Sequence, residues 1–409
     1  MKKKLTLIAS CSCIIILCFS AFKYFNHGKA LKEVKPPDSK VVNTSDTVEK
    51  IPSFENLKIE EGNPNEIVLK SGIINAPMEV LGVKDEKNFY GYEISGELCT
   101  YNVDTKKTKV FKKAIGKNMY IQTADFSDKW IVWVEGTDKE TTDATTGVGW
   151  ALYAENIKTG GVTQIDKDID KDIYNIESGF RCSPNQITIS GDNIVYSNFK
   201  RDSNKNIKSV LKLANLENKT IHELDEIKDI DKYFYSDPSI YNDNIVWSVT
   251  KLTPDPAERK KFSNITLYNL KDKNKTILSK DVPVYDPIIN NNIIAADFTV
   301  DDITNIVLYD LNKKNEGWKN CVNSSLPIYQ NTQNSTMAGP LFSKNYMIWW
   351  DNKTTSSQVI DTKNNKIYIL DKDKDKDMQV RGLYNKLIFW KEFSPDGLDK
   401  TITKYAILK

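Results

Sequence analysis

Two aspartates, Asp237 and Asp286, are the residues of this 409-residue chain whose type and spacing point most directly to chemistry. Each is followed by proline and lies eight residues before an isoleucine, Ile245 or Ile294, that belongs to an apolar run. Two carboxylates at matching positions on neighbouring strands could bind Ca²⁺ or act as an acid and base pair. The structural alternative is that Asp-Pro caps the entry of a strand and makes local turn hydrogen bonds.

Both aspartates lie just before copies of a sequence motif that the chain repeats. A short polar turn is followed by an apolar, aromatic-rich run, with second-strand anchors at Ile131, Ile194, Ile245, Ile294, Met347 and Leu387 and a degenerate copy over 89–92. Self-similarity with a period of about 40 to 60 residues indicates one supersecondary unit stacked many times. Residues 235–281 divide into four apolar runs separated by turns rich in Asn, Asp and Lys, which predicts four antiparallel strands.

These units predict an all-β fold, a single β-propeller of four-stranded antiparallel blades over residues 65–409. The anchors predict seven blades, and six or eight stay open because the first copy is weak and the 131–194 interval is long. The last blade lacks an outer strand, and we expect residues 65–72 to supply it to residues 401–409. Such closure removes an exposed sheet edge.

In a propeller the first strand of each blade lines a central channel, so the Asp-Pro pairs would lie on neighbouring channel-lining strands. The same offset before the other anchors gives Thr123, Gln186 and Gly339, a mixed polar set without an evident ligand shell. The sequence therefore predicts Asp237, Asp286, Gln186 and Thr123 as candidates at the channel mouth. No cofactor is expected, Ca²⁺ is the ion that the aspartates could take, and the metal question stays open.

The repeated phrase resembles the bacterial propeller superfamily that includes TolB-type propellers and the N-terminal propellers of dipeptidyl peptidase IV-type enzymes. Residues 393–397, Phe-Ser-Pro-Asp-Gly, are similar to the Ser-Pro-Asp-Gly turn of TolB-type repeats. Here the turn follows the apolar run over 388–390, whereas the family places it before the equivalent strand. The resemblance covers about residues 65–409 and implies a fold, without carrying over the partner-binding role of TolB.

Several catalytic classes are excluded by composition. The only two histidines are His27 and His222, and no Gly-x-Ser-x-Gly elbow occurs, which excludes a Ser-His-Asp or Cys-His arrangement in the body. Four scattered arginines argue against a clamp for a carboxylate or phosphate. Residues 1–35 hold seven Lys and one Glu, so the remaining chain has a net charge of −4 against +2 overall, which disfavours nucleic acid as a partner.

The recurring tryptophans are predicted to be core residues. Trp133, Trp247, Trp349 and Trp390 recur at strand positions of the repeats, as expected for blade packing. Trp150 and Trp318 lie outside that column and are candidates for contacting a ligand.

The N-terminal region predicts a membrane anchor within residues 1–25. Residues 5–22 are uncharged and apolar, at the lower length limit for a membrane-spanning helix. A cleaved signal peptide and a lipoprotein box at residues 8–11 are the alternatives. Residues 26–64 are polar and predict a flexible stalk. We expect a single-pass protein of the cell membrane with its C-terminal body outside the cytoplasm.

The leading functional hypothesis is therefore a membrane-tethered, extracytoplasmic and monomeric propeller that binds a protein, peptide or cell-wall polymer without catalysis. One alternative is a propeller hydrolase or lyase with a carboxylate or Ca²⁺-assisted site at the channel mouth. A structural spacer or assembly subunit is the third possibility, and analogy of fold alone does not choose among them.

Overall fold

The structure, a computed structural model, describes residues 32–34, 41–42, 54–57, 59–74, 76, 78–85, 87–93, 96–116, 119–137, 149–168, 184, 186–251, 262–300, 303–321, 341–343, 345–351, 356–372, 377–384, 386–394 and 397–409. Within these residues the chain is β-strand, with short 3-10 turns at Pro64–Glu66 and Lys314–Glu316. Among them no helix has the length and apolar character needed to cross a membrane. The anchor predicted over residues 5–22 lies outside the described residues.

Five strands precede the first blade: β1 (Lys32–Val34), β2 (Val41–Val42), β3 (Glu55–Asn56), β4 (Glu60–Gly62) and β5 (Val68–Ile74). Blade 1 consists of β6 (Met78–Val83), β7 (Asn88–Glu93), β8 (Leu98–Asn102) and β9 (Lys107–Lys112). Blade 2 consists of β10 (Met119–Phe126), β11 (Trp130–Thr137), β12 (Trp150–Asn156) and β13 (Val162–Asp168). Blade 3 consists of β14 (Ile187–Ser190), β15 (Asn193–Arg201), β16 (Ile207–Asn215) and β17 (Thr220–Ile227).

Blade 4 consists of β18 (Tyr233–Tyr235), β19 (Ser239–Tyr241), β20 (Asn244–Lys251), β21 (Ser263–Asn269) and β22 (Asn274–Val282). Blade 5 consists of β23 (Val284–Asn290), β24 (Ile293–Val300), β25 (Ile303–Asp310) and β26 (Trp318–Asn320). Blade 6 consists of β27 (Leu341–Ser343), β28 (Tyr346–Asp351), β29 (Ser356–Asp361) and β30 (Lys366–Lys372). Blade 7 contains β31 (Asp377–Tyr384), β32 (Leu387–Ser394) and β33 (Gly397–Leu408).

Seven separate sheets form a closed ring. Each blade is an antiparallel sheet in chain order, and the inner strands of successive blades contact one another from β6 to β31 and back to β6. Strands β18 and β19 together make the inner strand of blade 4. The all-β propeller fold and the count of seven are thus confirmed, and the alternatives of six and eight blades are excluded.

The repeated Ile-Val-Trp phrase follows from the packing of blades face to face. In β20 the side chains of Ile245 and Trp247 join the core shared with blade 3, whereas Val246 joins the core shared with blade 5. All three are fully buried. Because neighbouring blades cover both faces of a second strand, it becomes continuously apolar, without the polar alternation of a one-sided sheet.

Three of these second strands place an aromatic side chain against a carboxylate and a lysine. The hydrogen bonds from ring to carboxylate join Trp133 to Glu135 (2.8 Å), Tyr196 to Asp166 (2.7 Å) and Trp247 to Asp225 (3.3 Å). The ammonium groups of Lys112, Lys212 and Lys275 lie 5.4, 5.9 and 5.2 Å from the centroids of the same rings. These rings are core residues with a satisfied polar edge, which confirms the prediction for Trp133 and Trp247.

The two ends of the propeller meet in blade 7. Strand β5 pairs antiparallel with β33 and supplies the fourth strand of that blade. Beyond the strand, the backbone N–H of Lys409 donates to the carbonyl of Ile67 at 2.9 Å. The exposed outer edge of a three-stranded last blade is thereby paired.

Four strands of the predicted stalk lie along the rim of the propeller. Strands β1 to β4 pair in parallel with the outer strands β17, β22, β26 and β30 of blades 3 to 6, and we call them the N-terminal belt. Phe54 packs edge-to-face on Phe298 at 4.8 Å, and Leu57 and Ile59 pack against the core of blades 5 and 6. The described residues of the 26–64 region are therefore paired strands, in contrast to the flexible stalk expected there. The outer strands of the blades have unpaired N–H and C=O groups, and an extended segment can form hydrogen bonds with them.

Candidate functional site

Side chains on the inner strands tie neighbouring blades together from blade 2 to blade 5. Three hydrogen bonds do so: the Ile189 N–H to Asp125 Oδ2 (2.9 Å), Thr188 Oγ1 to the Pro238 carbonyl (3.0 Å) and the Ile289 N–H to Ser239 Oγ (3.1 Å). Each bond satisfies a backbone group that lies between sheets. The inner strands of blades 2 to 5 are therefore held in a fixed relation to one another.

Asp237 lies in the middle of the inner strand of blade 4. The segment Ser236-Asp237-Pro238 separates β18 from β19, because proline cannot donate to a ladder. The Asp237 side chain is open to solvent, yet protein atoms surround it on most sides. Loss of solvent around the carboxyl and, second, the charge of Asp286 raise the pKa of Asp237 to about 6.

Asp286 occupies the corresponding place in blade 5 and bends the strand. The pairing of β23 with β24 shifts register between Tyr285 and Ile288, and Asp286 has a left-handed φ of 51°. Aspartate is one of the few non-glycine residues that adopt this conformation readily. Its side chain is half-buried.

The Asp-Pro pairs were expected to cap strand entries, and here the structure differs. Asp286 is the third residue of β23, and Asp237 follows a three-residue strand, so both mark bulges within an inner strand. A bulge adds one residue, re-aims a side chain and is common near functional sites. The structure thus places Asp237 and Asp286 at irregularities of two inner strands, and their role at the channel mouth stays a prediction.

The other two predicted candidates lie on neighbouring blades. Thr123 is a half-buried residue of β10, beside a register shift at Gln122, and Gln186 is exposed just before β14. No described hydrogen bond joins either side chain to Asp237 or Asp286. Gly339, at the same offset in blade 6, lies outside the described residues.

Asp125 is a polar residue of the same ring that sequence reasoning missed. Its Oδ1 accepts from the Phe126 N–H at 2.8 Å, while Oδ2 reaches across to blade 3. Burial raises the pKa of Asp125 to about 7, although the two N–H donors oppose that shift. The signal was a carboxylate two residues after Thr123 on an inner strand, but its partner is a backbone group that no side-chain pattern reveals.

Metal binding receives no support from a ready-made ligand shell. In the described part of the chain, no group of three or more His, Cys, Asp or Glu side chains is placed to hold a metal ion. Ca²⁺ takes six to eight oxygen ligands, so Asp237 and Asp286 would have to be completed by other groups.

The two tryptophans predicted as ligand-contacting candidates are core residues instead. Trp150 is 1% exposed within the core between blades 2 and 3, and Trp318 is 7% exposed against Tyr309 in blade 5. Both begin a strand of their blade, so their rings face a neighbouring sheet. This prediction was wrong because residues of the third and fourth strands are also buried between neighbouring blades.

Comparison with known proteins identifies the class of fold. No family model matches the chain, and no curated protein matches it. The β-propeller domain of the Trilobed protease from Pyrococcus furiosus superposes with a TM-score of 0.50 at 11% identity, covering 80% of this chain and 95% of that chain. An acylaminoacyl peptidase gives 0.49 at 12%, covering 78% of this chain and 49% of the peptidase. An oligogalacturonate lyase in complex with manganese gives 0.44 at 10%, covering 81% and 76%.

The protein is therefore a β-propeller protein, and its propeller has seven blades. The predicted resemblance to β-propeller domains is confirmed at the level of the fold. At identities this low, the similarity shows the fold alone.

Proposed function

We propose that this chain is a non-catalytic binding propeller whose central channel takes a cationic group of a protein, peptide or cell-wall polymer. Asp237 and Asp286 are the contacting acids. In this proposal residues 5–22 anchor a monomeric protein in the cell membrane, with the propeller outside the cytoplasm. Neither nucleic acid nor a cofactor takes part.

The observation that carries the proposal is the electrostatic coupling of two acids on adjacent inner strands. Surrounding protein atoms partly desolvate the Asp237 carboxyl, although one side of it is open to solvent, and the charge of Asp286 disfavours its ionisation further. A bound ammonium or guanidinium group would relieve the repulsion and replace the missing solvent.

Binding of short peptides to the full chain in detergent tests the proposal. Tetralysine with free amines is the probe, and the fully acetylated peptide is its matched control. We expect binding of the free amine alone, lost in Asp237→Asn and weakened below about pH 6 as Asp237 protonates. Equal binding of the acetylated peptide, or unchanged binding in the variant, would contradict it.

A second candidate function is a propeller hydrolase or lyase, and one observation favours it. A carboxyl with a pKa near 6 exchanges protons at neutral pH, as a general acid or base must. Mass spectrometry of candidate polymers and peptides incubated with the protein separates the two functions. Turnover that disappears in Asp237→Asn would replace the binding proposal with the enzymatic one.

A further inference from the structure

The outer edges of the blades are not equivalent around the ring. Blades 3 to 6 each carry a belt strand beyond their fourth strand. Within the described residues, β9 of blade 1, β13 of blade 2 and β5 of blade 7 end their sheets. Such an edge presents backbone N–H and C=O groups to which an extended segment can add as a new strand.

Two of the four belt strands, β3 and β4, are acidic and pair with edges that carry lysine. Glu55 lies in register with Lys319, and Glu60 lies in register with Lys366. The Lys319 ammonium is 3.9 Å from the Glu55 carboxylate. Residues 54–66 contain four Glu and one Lys, so this part of the belt is acidic. Opposite charges facing each other across strands stabilise the pairing.

Blade 1 has the same edge geometry without a described occupant. Lys106, with φ of 55°, precedes Lys107, just as Asn365, with φ of 52°, precedes the paired Lys366. Lys107 and Lys109 lie on one face of β9, because side chains alternate along a strand. Both are exposed, and neither forms an ion pair with a described residue.

Lysines on an exposed edge usually discourage strand addition. On blades 5 and 6, however, lysine-bearing edges carry an acidic strand. A lysine-bearing edge therefore does not exclude addition. On blade 4, where Asp225 takes the Lys275 ammonium at 3.1 Å, the added strand is the apolar pair Val41–Val42. On β9 no described carboxylate pairs with Lys107 or Lys109, and an acidic strand is favoured.

Blade 7 lies beside this edge, since the ammonium of Lys70 in β5 is 3.8 Å from Asp104 in the turn before β9. In the belt an apolar residue, Leu57, follows directly after the paired acidic segment and packs at the rim.

We propose that β9 is a docking edge for an acidic, extended segment of a partner protein. The segment adds in parallel as a fifth strand of blade 1, with Asp or Glu opposite Lys107. The β9 edge takes an acidic segment, whereas the channel proposed above takes a cationic group. The two proposals therefore concern different ligands and can be tested separately.

A synthetic peptide with the sequence of belt residues 54–62, added to the full chain, is the probe. Hydrogen exchange locates it, and fluorescence anisotropy measures its affinity. We expect new protection of backbone amides in Lys107–Lys112, and about tenfold weaker binding to the variant K107E/K109E. The same peptide with its glutamates replaced by lysine should bind that variant and not the parent protein.

Two controls make the result decisive. A peptide with N-methylated amides keeps its charge but cannot pair, and should not bind. The variant K158E/K167E places the same charge change on exposed lysines of blade 2 and should bind the probe normally. Protection confined to β26 and β30, β9 amides already protected without peptide, or no protection anywhere would each overturn the proposal.

Discussion

Asp125 of blade 2 accepts a hydrogen bond from the backbone N–H of Ile189 in blade 3, at 2.9 Å. One blade thereby satisfies the main chain of the next. Because burial raises the pKa of Asp125 to about 7 from an ordinary 3.8, the folded protein holds this proton more tightly than the unfolded chain. The free energy of unfolding should therefore fall as pH rises from about 4 to about 7.

The first prediction concerns this pH dependence. Asp125→Asn keeps an oxygen acceptor for Ile189 and removes the buried charge. Its stability should therefore vary less than that of the parent protein between pH 5 and pH 8, by urea unfolding at each pH. Asp128→Asn, at an exposed turn of the same blade, is the matched control. Parallel pH profiles for Asp125→Asn and the parent protein would refute the interpretation.

The second prediction concerns the electrostatic coupling of Asp237 and Asp286. Asp286→Asn removes a like charge but leaves the left-handed backbone acceptable, since asparagine also adopts it. The pKa of Asp237 should move down from about 6 and remain above its ordinary value, because loss of solvent is the larger cause. NMR titration of the Asp237 carboxyl carbon measures it. An unchanged midpoint would show that the two side chains do not interact.

The third prediction concerns Glu135, a buried carboxylate that holds the linker between blades 1 and 2. It accepts from the backbone N–H groups of Ile115 (2.7 Å) and Gly116 (2.8 Å) and from Trp133. Glu135→Gln would turn an amide N–H₂ toward one of these donors. We expect a loss of about 2 kcal/mol in the free energy of unfolding, measured in urea. Glu217→Gln, exposed in a turn, should change little.

The fourth prediction concerns the end of the belt. Gly62 lies so close to the buried ring of Tyr368 that an added Cβ would be 2.3 Å from Cε1. Gly62→Ala should lift β4 from blade 6 and speed hydrogen exchange of the amides in Lys366–Tyr368. Gly161→Ala, whose nearest neighbour would be a hydroxyl at 3.4 Å, is the control. Unchanged exchange in blade 6 would mean that the belt contact is not tight.

The sequence alone predicts the strands that recur in every blade. The run Ile245-Val246-Trp247 predicts a second strand because both faces of a blade are covered, and the same physics acts in every copy. Asp237 and Asp286 stand out in the sequence because an Asp-Pro pair is unusual in an otherwise apolar strand. Their coupling depends on the distance between blades, which no local pattern encodes.

The belt could not be predicted for a different reason. Its strands are two or three residues long, too short for a period-2 pattern to emerge from a polar stretch. Their partners, from Thr220 to Tyr368, are far away in sequence. Composition alone therefore describes the segment as a stalk, and only the unpaired edges of the blades show where it lies.

The belt also sets the order in which the protein can be completed during synthesis. Its strands leave the ribosome first, but Lys32 must wait for Thr220, and Glu60 for Lys366, before a backbone partner exists. Strand β5 waits longest, since its partner β33 follows every other described strand. Contacts of such long sequence separation form slowly. The ring therefore closes only once β33 has been made, and until then the early segments are available to chaperones or to other chains.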